Sequence, residues 1–474
     1  MASRPPKPLE QRFSAGRALR KEVGRPSHKA IGAVGRDPVK LLEASSVGRV
    51  QRLVPLRYGR MLASPFAFFR GSAIIQAHDL AHTPHTGLVQ QICGDCHLMN
   101  FGGFATPERN LIFDINDFDE THPGPWEWDL KRLVASFTLA AQHVGLDAAA
   151  GDEVVAEVVR SYQSNMRRYA EMGALELWYE SITMDALVAS EADKTSRELL
   201  IKSIAKAQRR TQGSLLPKMG DKVDGKWVMR DAPPGLFHIH GSSSLFEDND
   251  DWSQLGDWGA LSDKLFTEYL NSLSPSHRAL LGRFKVQDLA FKVVGVGSVG
   301  TRCLVLLMTD AQENPLFLQI KEAVRSVLAP YVPAGKSAFK HEGQRVVVGQ
   351  RLMQASSDLF LGTSTGPSGR HFYFRQLRDK KISAELDSFD LNLLRRYASL
   401  CGHVLARAHA RAGGLAPQIS GYIGKDNSLA NALVIYARDY AAQVHRDFEA
   451  FRTACRKGRL IAQTEADFAA DLSV

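Results

Sequence analysis

Between Gly94 and Asp129 the chain contains GDCHLMNFG, LIFDINDFDE and GPWEWDL. Asp95, His97 and Asn100 place a carboxylate, an imidazole and an amide within six residues. An acidic corner follows at Asp114, Asn116, Asp117, Asp119 and Glu120. Oxygen ligands this dense suit a hard cation. Mg2+ takes few of its ligands from protein, because water and substrate phosphates supply the rest. The segment therefore reads as a metal–phosphate centre. Phosphoryl transfer needs one carboxylate to position the attacking hydroxyl, and an amide oxygen and a second carboxylate on the metal. Asp95 is assigned the first role, with His97 as an accompanying base. Asn100 and Asp117 are assigned as metal ligands, and Asp119 as a further ligand or a contact behind them. Asp114 reads as a structural strand or turn residue. A pair of Asx-rich turns is the competing reading, but it leaves unexplained the crowding of polar groups beside two apolar strands.

A second motif supplies a candidate phosphate cradle. GVGSVG at 295–300 is followed by TRCLVLLM, which has strand character. A dinucleotide-binding glycine motif would instead open a helix. A glycine turn joining two strands can lie over nucleotide phosphates, as the kinase Gly-rich loop does. Gly295, Gly297, Ser298 and Gly300 are therefore candidate cofactor-binding residues. Lys321 follows on an apolar strand, LQIKEA, in the place of a phosphate-binding lysine. Glu342 opens the next helix and is the expected partner of Lys321.

Other groups are read more plainly. Cys93-Gly94-Asp95-Cys96-His97 matches the C-x-x-C-H haem-attachment pattern, but the start of the chain has no apolar export signal. Zinc at Cys93, Cys96 and His97 lacks a second ligand pair. His238 and His240 have no assigned role. Asp129 is expected to cap a helix or brace the 94–100 loop. Arg57, Arg60 and Arg70 either meet phosphate or pair with the acidic cluster.

The elements that position these residues follow from periodicity. Short strands are expected at Val89–Cys93, Asn110–Ile115, Gln287–Val294, Arg302–Met308, Leu316–Lys321 and His371–Asp379. Helices are expected at Trp128–Val144, Glu153–Met172, Glu342–Met353, Leu391–Ala412 and Leu429–Thr453. Residues 213–262 are irregular and suggest an insertion or lobe boundary. The expected division is a basic arm (1–56), a helical lobe with the catalytic and metal loops (57–284), a β-rich nucleotide lobe (285–380) and closing helices (381–474). The net charge is +8, and residues 1–60 hold fourteen Lys/Arg against four Asp/Glu. That arm is a candidate contact for an anionic partner. No apolar run reaches the roughly eighteen residues of a membrane span. Five cysteines suit a reducing compartment, so a cytoplasmic location is expected.

RYGRM, SPFAFFRG, GDCHLMNFG, NDFDE and PWEWDLKRL resemble the bacterial family called domain of unknown function 2252. More distantly, GDCHLMN, NDFDE and GPWEWDL resemble the catalytic and metal segments of aminoglycoside phosphotransferase and choline kinase-like enzymes. LARAH at 405–409 resembles the helix that precedes the catalytic loop in those enzymes. This likeness implies an α+β, two-lobed, protein-kinase-like fold with ATP and Mg2+ as cofactors. It makes Asp95 the catalytic carboxylate, Asn100 and Asp117 the metal ligands and Asp129 a structural acid, and it puts Phe374–Asp379 near an adenine-binding hinge. The chain order differs from that of kinases. The catalytic loop precedes the glycine turn, which implies a circular permutation with 290–380 packed over 94–120 and Lys321 facing Asp117. The leading expectation is an ATP-dependent phosphotransferase acting on an unidentified acceptor. A metal-dependent phosphohydrolase and a non-catalytic nucleotide- or nucleic-acid-binding protein are the alternatives.

Overall fold

The computed structural model describes residues 7–239, 244–246, 250, 252, 258–332, 339–377 and 380–471. It is an α+β protein. Among these residues no helix is long and apolar enough to cross a membrane.

The helix Trp126–His143 forms the centre of the helical body. It starts directly after Pro125, carries Glu127 and Asp129 in its first turn and buries nearly every side chain. Acidic groups at that end complement the helix dipole. The helices Ala148–Glu171, Leu391–Gly413 and Ser428–Arg456 pack around it, each with one buried face. Asp147 and Asp390 cap two of them by accepting from Ala150 N and Leu393 N at 2.8 Å.

Four short strands leave and re-enter this body: β1 (Val89–Ile92), β2 (Phe101–Ala105), β3 (Leu111–Ile115) and β4 (His122–Pro125). β1 pairs with β4 in antiparallel register, Ile92 opposite His122, so the ends of the 93–121 excursion meet. β2 pairs with β3, Phe101 opposite Ile115, which closes the excursion a second time. Asn116 N donates to Asn100 O at 2.7 Å across that closure. The two registers bring the 93–100 loop beside the 116–121 corner. Gly94 sits at the crossing with φ +86°, where an added Cβ would lie 2.3 Å from Glu120 O. Only glycine fits this backbone without strain.

Further along come β5 (Gly220–Val223) and β6 (Lys226–Met229), a separate hairpin, then β7 (Leu236–Phe237), β8 (Lys285–Lys292), β9 (Cys303–Thr309), β10 (Pro315–Glu322), β11 (Gly362–Thr365), β12 (His371–Gln376) and β13 (Ile382–Ser383). Strands 7 to 12 form one antiparallel sheet in the order β11-β12-β10-β9-β8-β7, and β13 joins the edge of β2. Alternation sorts the side chains onto two faces. Leu318, Ile320, Phe372 and Phe374 enter a core with Trp252 and Tyr269, whereas Gln319, Lys321, Tyr373 and Arg375 face the other way. The helix Glu342–Met353 packs on β11 and β12 and also on β1 and the Leu391–Gly413 helix, so it bridges sheet and body.

Two expectations about organisation change. The boundary at 285 falls inside one packed unit, because Phe237, Leu265, Tyr269 and Leu281 share the core of the sheet. Phe237, Phe246, Trp252 and Tyr269 contribute to that core, the first three from the stretch 213–262 whose sequence reads as irregular. The stretch 1–56 is also not a free basic arm over its described part. Arg20 donates to Tyr422 O and Gly421 O, and Arg25 donates to Ile423 O. These carbonyls end the helix Ala416–Ile423, where unpaired acceptors and the negative dipole end attract guanidinium groups. Arg36 bridges Asp79 and Asp447 at 2.5 and 2.6 Å. Much of the arm's positive charge is used within the molecule.

Candidate active site

The body loops and the outward-facing side of β10 and β12 converge on one cleft. Lys321 Nζ binds Asp119 Oδ2 directly and lies 3.7 Å from Asp117 Oδ1. Tyr373, opposite Lys321 in the sheet, donates from its hydroxyl to Asp119 Oδ1 at 2.6 Å. Burial opposes the charge on Asp119, but Lys321 and then Tyr373 hold its carboxyl below the usual carboxylate range. Burial likewise disfavours the Lys321 ammonium, and Asp117 and Asp119 reverse this to hold it well above its ordinary value.

The expected approach of Lys321 to Asp117 is present, but the partner assigned to the lysine needs correction. Glu342 does not pair with Lys321. Its carboxylate accepts from Arg345 Nε at 2.5 Å, one turn along its own helix, where an i,i+3 partner is always in reach. Asp119 bonds Lys321 with one oxygen and Tyr373 with the other, which matches the second of its two expected roles, a contact behind the candidate ligands.

Asp95 accepts from Arg132 Nε at 2.8 Å. Arg132 also donates to Gln76 Oε1 and Phe69 O and lies over the Phe69 ring, which fixes its guanidinium. Burial raises the Asp95 carboxyl above its ordinary value, with Arg132 and Arg70 opposing. A carboxylate shifted in this direction is a better proton acceptor. Asn100 donates its amide nitrogen to Asp95 O at 2.8 Å, which leaves its carbonyl oxygen as the group available to a cation. Asp117 is one-third exposed and lines the same space, so an amide and a carboxylate are available for Mg2+. His97 is buried with Nε2 3.9 Å from Asp95 Oδ2, beyond hydrogen-bond range, and it reaches neither cavity described below. Burial, reinforced by Arg70 and Arg132, pushes its imidazole well below its usual value. A neutral ring behind Asp95 is not positioned as the base.

Asp129 braces the 94–100 loop. It accepts from Cys93 N at 2.8 Å and Gly94 N at 2.9 Å, and it pairs with His409 Nε2 at 3.1 Å. His409 is the histidine of LARAH, and Tyr162 Oη holds its other ring nitrogen at 2.8 Å. Arg407 of the same helix pairs with buried Asp114 at 2.6 Å. Cys93 and Cys96 lie beside Asp129, but burial raises both thiols and the Asp129 oxygens are already bonded, so the trio is a poor metal site.

Two cavities meet at Asp117 and Ser298. The outer one, about 740 Å3, is bounded by Gly295, Ser298, Lys321, Arg375 and Leu377 from the sheet and by Phe104 and Asn116 from the body. Its size is in the range of small-molecule and cofactor sites. The inner one, about 80 Å3, is lined by Asp95, Asn100, Asp117, Gly297 and Ser298. The glycine turn is held from behind. Arg49 donates to Val299 O at 2.6 Å, Arg60 to Gly295 O at 2.7 Å and Val50 N to Gly300 O at 2.8 Å. Gly300 adopts φ +85° there. At the expected hinge Gln376 and Leu377 line the outer cavity, while Arg378 and Asp379 lie outside the described residues. Gln376 N donates to Asp358, Leu377 N to Phe317 O, and Gln212 donates to Leu377 O, so these backbone groups are already bonded.

Residues 49–454, most of the chain, match the model of a family described as uncharacterized protein conserved in bacteria. The chain belongs to DUF2252. No curated protein and no solved structure matches it. The matched span includes every site residue named above.

Sequence reasoning missed Arg132, Tyr373, Arg345 and Arg375. Arg345 donates to Thr121 O at 2.5 Å, Val324 O at 2.8 Å and Asp119 O at 3.0 Å, tying the bridging helix to the acidic corner. Arg375 donates to Gln319 Oε1 at 2.9 Å and Asn116 O at 3.1 Å. The alternation of HFYFRQ could have placed Tyr373 and Arg375 on the face of Lys321. Nothing local marked Arg132 or Arg345.

Proposed function

We propose that the protein is an ATP- and Mg2+-dependent phosphotransferase, organised like a protein kinase whose glycine-turn lobe follows the catalytic loop in the chain. The observation that carries this reading is the approach of Lys321, on the third strand of a strand–glycine turn–strand–strand unit, to Asp117 and Asp119 at the floor of the cleft. A lysine on the strand after a Gly-rich hairpin, an amide and a carboxylate for metal, and a separate carboxylate for the acceptor are the parts such a reaction uses. The bridging helix supports the likeness, and Asp119 takes the lysine-orienting role that a helix glutamate has in protein kinases.

In this reading the 295–298 turn and Lys321 hold the nucleotide phosphates. Asn100 and Asp117 hold Mg2+, which neutralises charge developing on the transferring group. Asp95, kept in place by Arg132, aligns the acceptor hydroxyl and takes its proton. Asp129 and His409 keep the loop backbone rigid enough for that alignment. The acceptor is a hydroxyl-bearing molecule whose identity is open. The test is thermal unfolding with ATP, Mg2+ and both together. Specific binding to the folded state raises the melting temperature. The expected result is a shift with Mg2+–ATP that Asp117→Asn reduces. No shift with any nucleotide overturns the proposal, and phosphate release from esters without ATP favours a phosphohydrolase.

A further inference from the structure

The inner cavity has an unusual charge balance. Arg70 lines it beside Asp95, yet Arg70 makes no hydrogen bond or ion pair with any described residue, and its Nε is buried without a partner. Arg49 and Arg57 line the same cavity. Arg57 is 2% exposed and bonds only neutral groups: Ser46 Oγ at 2.8 Å, Gly71 O at 2.9 Å and Ser45 Oγ at 3.0 Å. Arg49 bonds the carbonyls of Ser45 and Val299. Among the described residues none of the three arginines has a carboxylate partner. Burial depresses all three guanidinium groups, Arg49 to about 10, and Arg49 further disfavours charge on Arg57. Buried cations without counter-charge are costly and are normally paired.

Asp95 favours the charge on Arg70, and Glu120 and Glu322 favour that on Arg49, but none of them is in ion-pair contact with these arginines, and most are held by other groups. Asp95 is bonded to Arg132, Asp119 to Lys321 and Tyr373, and Glu322 to Arg370. Burial pushes the Glu120 carboxyl up to about 7, and Asp117 is the candidate metal ligand. An arginine fork matches the oxygens of a phosphate or a carboxylate, and the glycine turn that lines the same cavity at Gly297 and Ser298 favours phosphate.

We propose that Arg70, backed by Arg49 and Arg57, binds a tetrahedral phosphate group at the inner end of the cleft, beside Asp95 and the glycine turn. The site itself stands on Arg70, which has no hydrogen-bond or ion-pair partner among the described residues, and on Arg49 and Arg57, which bond only neutral groups, whereas its meaning rests on the phosphotransferase reading. The phosphate is either the γ-phosphoryl group of the nucleotide or a phosphate carried by the acceptor. In either case Arg70 touches a reacting molecule.

Binding of inorganic phosphate to the full chain tests this, with chloride at matched ionic strength as control and calorimetry as readout. Wild type should bind phosphate saturably, and Arg70→Gln should bind it about tenfold or more weakly, the effect of one lost charge-assisted hydrogen bond. Arg70→Lys should retain part of the affinity, and circular dichroism checks that both variants fold. No saturable binding by wild type, or equal affinity in Arg70→Gln, overturns the site. Repeating the titration with saturating Mg2+ and a non-hydrolysable ATP analogue separates the sources. Loss of phosphate binding identifies the γ-phosphoryl position, and simultaneous binding identifies an acceptor phosphate. Phosphate binding by a chain that ignores all nucleotides keeps the arginine site and removes the ATP reading.

Discussion

Replacing Lys321 by Met separates its structural and chemical roles. The Lys321 side chain is 4% exposed and its partner Asp119 is 27% exposed. Removing one partner of a buried ion pair costs about 3–5 kcal/mol, because the other charge is left uncompensated. Asp119 keeps its Tyr373 hydrogen bond and some solvent, so a loss of about 2–3 kcal/mol is expected for Lys321→Met. Urea unfolding followed by tryptophan fluorescence measures it. The Asp119 carboxyl lies below its ordinary value of 3.8 in the folded protein, so its contribution is complete above that pH and is lost as pH falls through the folded value. Without the lysine the carboxylate is destabilising and protonates readily, so the deficit of the variant should be full at neutral pH and shrink as pH falls towards 4. Adding Asp119→Asn removes the orphaned charge, and the double variant should recover to within about 1 kcal/mol of wild type. The melting shift with Mg2+–ATP should stay lost in that double variant. A single-variant loss below about 0.5 kcal/mol, or one independent of pH, refutes the buried pair. Recovery of the nucleotide shift together with stability reduces Lys321 to a structural ion.

Asp95→Asn keeps an oxygen for Arg132 but removes the proton acceptor. Turnover in an ADP-release assay should fall about 10²–10⁴-fold while Mg2+–ATP still raises the melting temperature, and an active variant rules out the assigned role. Asp129→Ala strands the amides of Cys93 and Gly94 and the His409 ring, and should cost about 2–4 kcal/mol in urea unfolding. A change below about 0.5 kcal/mol shows that the loop does not depend on this acid. Glu120 has a folded value of about 7 against an ordinary 4.5, so the folded state holds the proton more tightly. Stability should therefore decline as pH rises through that interval, and Glu120→Gln should flatten this part of the profile. A profile unchanged in the variant assigns the pH dependence to another group.

Local features of the sequence anticipated much of this structure. The apolar runs located β1, β3, β8, β9, β10 and β12, and the bridging helix occupies Glu342–Met353 as its periodicity indicated. The approach of Lys321 to Asp117 was also expected from the motifs. The partners chosen over long separations were illegible. Asp119 replaces Glu342 beside Lys321 because the register of β10 with β12 delivers both Lys321 and Tyr373 to one carboxylate. Arg132 reads as one more charge in DLKRL, yet it is 2% exposed and bonded on three sides. The basic arm misled for a similar reason. Composition counts arginines, but carbonyls at a helix end absorb several of them, and those acceptors leave no trace in the side-chain sequence.

The attachment of the bridging helix constrains how such a cleft can work. Arg345 binds the carbonyls of Asp119, Thr121 and Val324, so the helix, the acidic corner and the segment just after the strand of Lys321 are stapled at one point. Burial of this guanidinium at 1% exposure makes breaking the staple expensive. This staple lies next to the 3.7 Å approach of Lys321 to Asp117 and helps to hold it. The glycine turn is tied differently, through Arg49 and the 22%-exposed Arg60 to its backbone carbonyls. Both arginines are more exposed than Arg345, so their bonds are cheaper to exchange. If the proposed phosphate binds, adjustment around it should fall first on the turn and on the arginines behind it, ahead of the lysine and the acidic corner.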